Sequence, residues 1–212
     1  MPYNENNKLC LVLTCDRPYY EKRRQASANT YSLLKKNGFT VVFLYANPLI
    51  HYTVFDLKNE EYRITVPMED TYKNIPAKIL TALKFLSRYN ISGILKIDDD
   101  TTIIDPSIFN TKFTDADYAG ASVGSAFPGV RMAGDTPVKI EKQFMYFGGP
   151  FYWISSRAIK HVVETGFKYP WEDASVGYAI TEHFNKFTVR FLPFNDNKQV
   201  IWSNNTEVDD QE

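Results

Sequence analysis

Gly93-Ile94-Leu95-Lys96-Ile97-Asp98-Asp99-Asp100 is an apolar run that ends in three consecutive carboxylates. Apolar character resumes at Ile103-Ile104, and Asp105-Pro106 closes the stretch. Like charges this close repel, and desolvation at the end of a buried strand adds to the cost, so stability alone does not select such a cluster. A divalent cation would remove the conflict. Hard oxygen ligands in a run suit Mg²⁺ or Mn²⁺, ions that usually also hold substrate phosphates. A solvated acidic turn is the plainer alternative, and the cluster by itself does not separate the two.

The flanking sequence supplies the fold. Residues 9–14 and 40–46 are short, nearly continuous apolar runs that read as buried parallel strands, as do residues 93–97. Residues 21–36 read as one helix ended by Asn37-Gly38. A second helix starts after Asn74, tolerates Pro76 in its first turn, and runs to about Tyr89 with Ile79, Leu80, Leu83 and Leu86 on one face. Strands alternating with helices predict an α/β layer with a mostly parallel central sheet. Ligands bind such sheets beyond the carboxyl ends of the strands. The acid cluster and the loop 14–17 therefore belong to one crevice.

Beyond Asp105 the pattern is less regular. Residues 118–130 read as strand plus loop, and 144–154 as an aromatic-rich segment around Gly148-Gly149-Pro150. A helix follows from Ser155 or Ser156 to about Thr165, then a helix over 174–184 and a strand over 188–194. Residues 203–212 are polar and acidic without periodicity, and read as a tail or a linker to a further domain.

Composition narrows the function. The 212 residues are 44% hydrophobic and 23% charged, ordinary for a globular domain with a real core. A net charge of −1 lacks the basic footprint of a nucleic-acid binder. Cys10 and Cys15 are the only cysteines. Five apart on one predicted strand, they face opposite sides and do not bridge, which points to a reducing, cytoplasmic compartment. The polar N-terminus shows no signal peptide, and no apolar run is long enough to span a bilayer.

Four blocks in order carry a resemblance to a known family. Glu69-Asp70-Thr71-Tyr72-Lys73-Asn74-Ile75-Pro76-Ala77-Lys78 followed by Lys96-Ile97-Asp98-Asp99-Asp100 resembles the Asp-Ser-Tyr-x-Asn-Leu-x-x-Lys and Lys-x-Asp-Asp-Asp pattern of the β1,3-galactosyltransferase and fringe group of glycosyltransferases (family 31-like). Gly148-Gly149-Pro150-Phe151-Tyr152-Trp153-Ile154-Ser155 is similar to their Gly-Gly-x-x-Tyr-x-x-Ser block, and Glu172-Asp173-Ala174-Ser175-Val176-Gly177 to their Glu-Asp-Val-x-x-Gly block. Near the N-terminus, Arg24, Ala26, Thr30 and Tyr31 fall where the family has Arg-x-Ala-Ile-Arg-x-Thr-Trp.

The resemblance implies a GT-A fold and a metal-dependent, inverting transfer of a sugar from a UDP-sugar to a hydroxyl of a glycan or glycoprotein. It implies one catalytic domain over residues 1–202, a nucleotide-sugar half to about 105 and an acceptor half from 106, free-standing or fused, as in enzymes of large algal viruses and bacteria. Cytoplasmic location, in a viral case the host's cytoplasm, follows with it. Asp100 corresponds to the ligand of Mn²⁺ or Mg²⁺, with Asp98 beside the ribose or the metal. Asp99 lies on the donor side, pointing the other way on an extended chain. Thr14, Asp16, Arg17, Asp70 and Lys78 fall near the donor, and Tyr146, Gly148, Gly149, Trp153 and Trp171 near the acceptor. Asp173 corresponds to the general base, or an N-cap of the following helix, and Glu172 to an acceptor-orienting group or to the base one residue out of register. The chain departs from the pattern at Ala28, which replaces an arginine, and lacks the late metal-binding histidine. Asn195, Asp196 or Asn197 are the oxygen donors in that region. Two alternatives stand beside this reading. Asp98-x-Asp100-x-Thr102 also fits a haloacid-dehalogenase-like phosphatase, and a non-catalytic carbohydrate or nucleotide binder would retain the same blocks.

Overall fold

The computed structural model describes residues 7–183, 185–192 and 200–202. The first half runs β1 (Lys8–Leu13), α1 (Pro18–Ala26), α2 (Ala28–Lys36), β2 (Phe39–Ala46), β3 (Val54–Lys58), β4 (Glu61–Val66), α3 (Ile75–Leu86), β5 (Gly93–Asp98) and β6 (Thr101–Ile103). The second half runs β7 (Tyr118–Gly120), β8 (Val123–Ala126), β9 (Gly129–Ala133), β10 (Thr136–Ile140), β11 (Phe144–Phe147), β12 (Phe151–Ser155), α4 (Ser156–Thr165), α5 (Glu172–Thr181), β13 (Val189–Phe191) and β14 (Val200–Trp202).

A sheet in the order β13-β7-β12-β5-β1-β2-β4-β3 carries the molecule. β1 pairs in parallel with β2 and with β5, β2 with β4, and β7 with β13. Only β12 and β3 run against the rest. The mostly parallel α/β sheet expected from the strand–helix alternation is the one observed, and it is GT-A-like. Its central strands are apolar throughout because both faces are covered. Leu9, Leu11 and Ile94 pack on the side of α3, α4 and α5, with Ile79, Leu83, Ile159 and Val176. Cys10, Val12, Leu95 and Ile97 pack on the side of α2, with Tyr31 and Leu34.

Three local features differ from the sequence reading: a helix, a hairpin and the position of Cys15. The helix expected over 21–36 starts earlier, at Pro18, and breaks at Ser27, whose φ of −89° and ψ of 7° interrupt it. The break has a cause. Buried Ser27 donates its hydroxyl to the backbone oxygen of Asp99 at 2.8 Å, a tertiary bond that competes with regular helix. The β3–β4 hairpin is an addition to the expected elements. Its turn places Asn59 and Glu60 at φ of 51° and 64°, and glutamate is so unusual there that the turn carries little sequence signal. Cys15 lies beyond β1, and both cysteines are free and buried.

Candidate active site

Period-two alternation along β5 decides which side chains meet. Lys96 follows Ile94 onto the face covered by α3, α4 and α5, while Leu95 and Ile97 face α2. Lysine in a buried strand requires partners, and Lys96 has three. Its Nζ lies 2.7 Å from Asp98 Oδ1, 3.0 Å from Glu172 Oε1 and 2.6 Å from the Gly149 carbonyl oxygen. Burial alone would depress the lysine's pKa, but Asp98 and Glu172 hold it raised. Tyr152 pairs across the sheet with Lys96 and donates its hydroxyl to Glu172 Oε2 at 2.7 Å. Both oxygens of Glu172 are thus engaged by the scaffold.

Asp173 stands one residue further along α5, in its first turn. The helix is capped at Trp171 rather than at Asp173, with no side-chain cap bond. Asp173 Oδ1 accepts from the Ala174 amide at 2.7 Å, and Oδ2 from the Gly149 amide at 3.2 Å. Burial raises its pKa, and the two amides and Lys96 oppose the rise. Gly149 therefore bonds Asp173 through its N–H and Lys96 through its carbonyl. A Cβ at this position would lie 3.1 Å from Glu172 Oε1 and 3.4 Å from Lys96 Nζ, which explains the glycine without any special backbone angle.

These groups share one cleft of about 280 Å³, a little below the ~300–1,000 Å³ usual for ligand pockets. Lys96, Asp98, Glu172 and Asp173 supply its polar lining. Leu13, Ile75, Pro76, Pro150 and Pro170 supply apolar surface, and Tyr72 and Trp171 add aromatic faces. Tyr72 is 88% exposed and presents its ring to solvent at the cleft. A cleft that combines carboxylates with aromatic and apolar surface suits a sugar, which presents hydroxyls and a C–H face.

The remaining acidic residues sit beside the cleft. Asp99 is buried, accepts from Thr14 Oγ1 at 2.7 Å, and lies 2.9 Å from Arg23 Nε. Burial pushes its pKa up to about 6, despite the Thr14 bond and the Arg23 charge. Asp100 is ion-paired with Arg23 Nη2, and its pKa is raised by burial, which Arg23 only partly offsets. Thr14 is braced: Arg24 donates to its hydroxyl at 3.0 Å and Lys78 Nζ to its carbonyl oxygen at 2.6 Å. Lys78 also meets Asp70 at 2.7 Å, and Asp70 accepts weakly from the Ala46 amide. Asp70 and Lys78 thereby tie together the carboxyl ends of β1 and β2. Asp16 and Arg17 are exposed on the loop after β1.

Among the residues singled out for the acceptor, Gly149 and Trp171 line the cleft. Trp153 does not. Alternation along β12 turns it to the opposite face, where it is 1% exposed and donates Nε1 to the Ala116 carbonyl oxygen at 3.0 Å. Tyr146 packs against Gly124 and Gly177, and Gly148 against Ser122; neither lines the cleft. Asp196 lies outside the described residues, as do Asn195 and Asn197. Four participants escaped the sequence reading: Lys96, Tyr152, Arg23 and Tyr72. Tyr72, Lys96 and Tyr152 stand at named positions of the matched blocks, and Lys96 is also a charge inside an otherwise apolar strand; Arg23 carries no such mark.

Among the described residues no three His, Cys, Asp or Glu side chains converge as a metal cluster. The donor set still has the right chemistry. Asp98 and Asp100 offer hard oxygens at a strand end, and each already sits on a positive charge, Lys96 or Arg23. The residues fit a hard divalent cation, which at Asp100 would compete with the Arg23 guanidinium.

A mostly parallel sheet with acids in a cleft at its strand ends is a GT-A-like arrangement. The galactosyltransferase family profile matches residues 36–183, more than half of the chain, and the chain belongs to that family. No curated protein sequence matches it. Among solved structures, it is similar to Drosophila β1,4-galactosyltransferase 7, crystallised with manganese, UDP-galactose and xylobiose, at 13% identity and a TM-score of 0.55 over 97% of this chain and 76% of that one. It is also similar to a Bacillus anthracis protein described as a glucose-1-phosphate thymidylyltransferase, in complex with sucrose, at 10% identity and a TM-score of 0.51 over 87% of this chain and 86% of that one. At these identities the likeness is one of fold.

Proposed function

We propose that the protein is a metal-dependent inverting glycosyltransferase that moves a sugar from a UDP-sugar to a hydroxyl of a glycan or glycoconjugate. The observation that carries this reading is that Asp98 and Asp173, from strand β5 and helix α5, line the same cleft. Residues to about 105 are the nucleotide-sugar half and those from 106 the acceptor half, in the manner of the fringe-related group. The phosphatase alternative is disfavoured, because family membership is of the transferase kind.

The donor's diphosphate lies beside Asp98 and Asp100, within reach of the exposed Arg17, with its sugar toward Asp173. A divalent cation held by Asp100 and Asp98 would stabilise the charge that grows on the leaving diphosphate. Asp173 accepts the proton of the acceptor hydroxyl as that oxygen attacks the anomeric carbon, and the single displacement inverts configuration. Burial raises the carboxylate's pKa, which makes it a better base. Glu172, with both oxygens engaged, positions rather than reacts. Tyr72 and Trp171 offer faces on which a sugar ring stacks.

The test is incubation with Mn²⁺ and a panel of UDP-sugars, following UDP release with and without candidate glycan acceptors. One donor turned over, with loss on chelation, supports the reading. A protein that binds no UDP in the presence of Mn²⁺ is not such an enzyme.

A further inference from the structure

Arg23 is the only described cation in contact with Asp100, and it does not make a tidy pair. Its Nη2 meets Asp100 Oδ2, and its Nε lies 2.9 Å from Asp99 Oδ1. That Nε is buried yet makes no hydrogen bond, so the contact with Asp99 is electrostatic rather than aligned. The guanidinium carbon lies 5.6 Å from the Tyr19 ring centroid and 5.3 Å from that of Tyr20, both on the same helix. Asp99 has Thr14 as an independent partner. Asp100 depends on Arg23 more heavily. The arginine is held by ring faces and two acids, with 23% of its side chain open to solvent.

Two properties follow from this geometry. A divalent cation reaching Asp100 either displaces Arg23 Nη2 from Oδ2 or binds Oδ1 against the nearby guanidinium charge, so the two cations compete for the carboxylate. A displaced guanidinium, still beside the acid cluster, is a planar fork suited to phosphate as well as to carboxylate. We propose that Arg23 is a built-in competitor for the metal position that transfers to the donor's diphosphate when the cation binds. Metal and nucleotide then bind cooperatively: each relieves a cost that the other would face alone. By linkage, the factor by which UDP tightens Mn²⁺ equals the factor by which Mn²⁺ tightens UDP. This rests on the glycosyltransferase reading for the identity of the diphosphate, but the competition for Asp100 does not.

The experiment measures Mn²⁺ binding to the full chain, from the electron paramagnetic resonance of free Mn²⁺, for wild type, Arg23→Gln and Arg23→Lys, with and without UDP. Removing a competitor raises the binding-competent fraction. Arg23→Gln is expected to bind Mn²⁺ alone about tenfold more tightly than wild type, and UDP in the presence of Mn²⁺ about tenfold more weakly. Arg23→Lys keeps the charge and loses the fork, so its Mn²⁺ affinity stays near wild type while UDP still weakens. If Arg23→Gln binds Mn²⁺ alone no more tightly than wild type while UDP with Mn²⁺ still binds, Arg23 is not a competitor and the enzyme class stands. If none of the three proteins takes up UDP with Mn²⁺, the class fails and the exchange onto a diphosphate fails with it.

Discussion

Lys96 and Glu172 meet at 3.0 Å, and this buried contact joins the acid-bearing strand β5 to the helix that carries Asp173. Removing the cation leaves Glu172 and Asp98 without their shared charge, and uncompensated buried charge is costly. Lys96→Met is expected to destabilise the fold by about 3–5 kcal/mol in urea unfolding. Lys96→Met combined with Glu172→Gln is expected to recover part of that loss, because the neutral amide still accepts from Tyr152. A double variant no more stable than the single one would show that the ion pair is not what Lys96 contributes.

Asp173 sets a pH limb. Its pKa is raised, first by burial, and only the ionised carboxylate accepts a proton. Transfer should therefore fall on the acid side at a pH above the ordinary aspartate value of about 3.9. Asp173→Asn should lower kcat by about 10²–10⁴-fold and leave UDP affinity unchanged. A variant that keeps wild-type kcat would remove Asp173 from the chemistry.

Gly149 tests the junction without touching a charge. Alanine is allowed by its backbone, yet the added Cβ crowds Glu172 Oε1 at 3.1 Å and Lys96 Nζ at 3.4 Å. Small misplacements of reacting groups are expensive, so Gly149→Ala should cost roughly tenfold or more in kcat, with stability changed by less than about 1 kcal/mol. Unchanged turnover would mean that the Lys96–Glu172–Asp173 spacing is not limiting.

Asp99 imposes a pH dependence on stability rather than on rate. Burial raises its folded-state pKa to about 6, above the unfolded value of about 3.9. The folded protein then binds the proton more tightly, so this group favours the fold below about pH 4 and its contribution is lost as pH rises through 6, by up to about 3 kcal/mol. Asp99→Asn keeps an acceptor for Thr14 and removes the titration. Urea unfolding at pH 4 to 7 in chelator should show wild type losing stability relative to this variant over that window. A constant difference would contradict the assignment.

The architecture was legible in the sequence because β1, β2 and β5 are buried on both faces and so read as unbroken apolar runs. The cleft's acids were legible because Asp98 and Asp173 stand in motifs with fixed neighbours. Trp153 was misleading: an aromatic inside a motif block resembles a sugar platform, but one step of strand alternation from Tyr152 carries it to the far face. The break at Ser27 was hidden because its cause is a bond to Asp99, 72 positions away. Arg23 had no motif, periodic or compositional mark, since its role depends on which loop lies opposite; Tyr72 had its place in the Asp70–Lys78 block but no sign that it would face a cleft.

The most direct measurement is a crystal structure with UDP and Mn²⁺ bound. It should place the diphosphate and metal at Asp98 and Asp100, with Arg23 moved off Asp100, and leave room for a hexose between the β-phosphate and Asp173. UDP bound elsewhere, or an Asp173 carboxylate walled off from the β-phosphate, would contradict a shared donor and acceptor cleft.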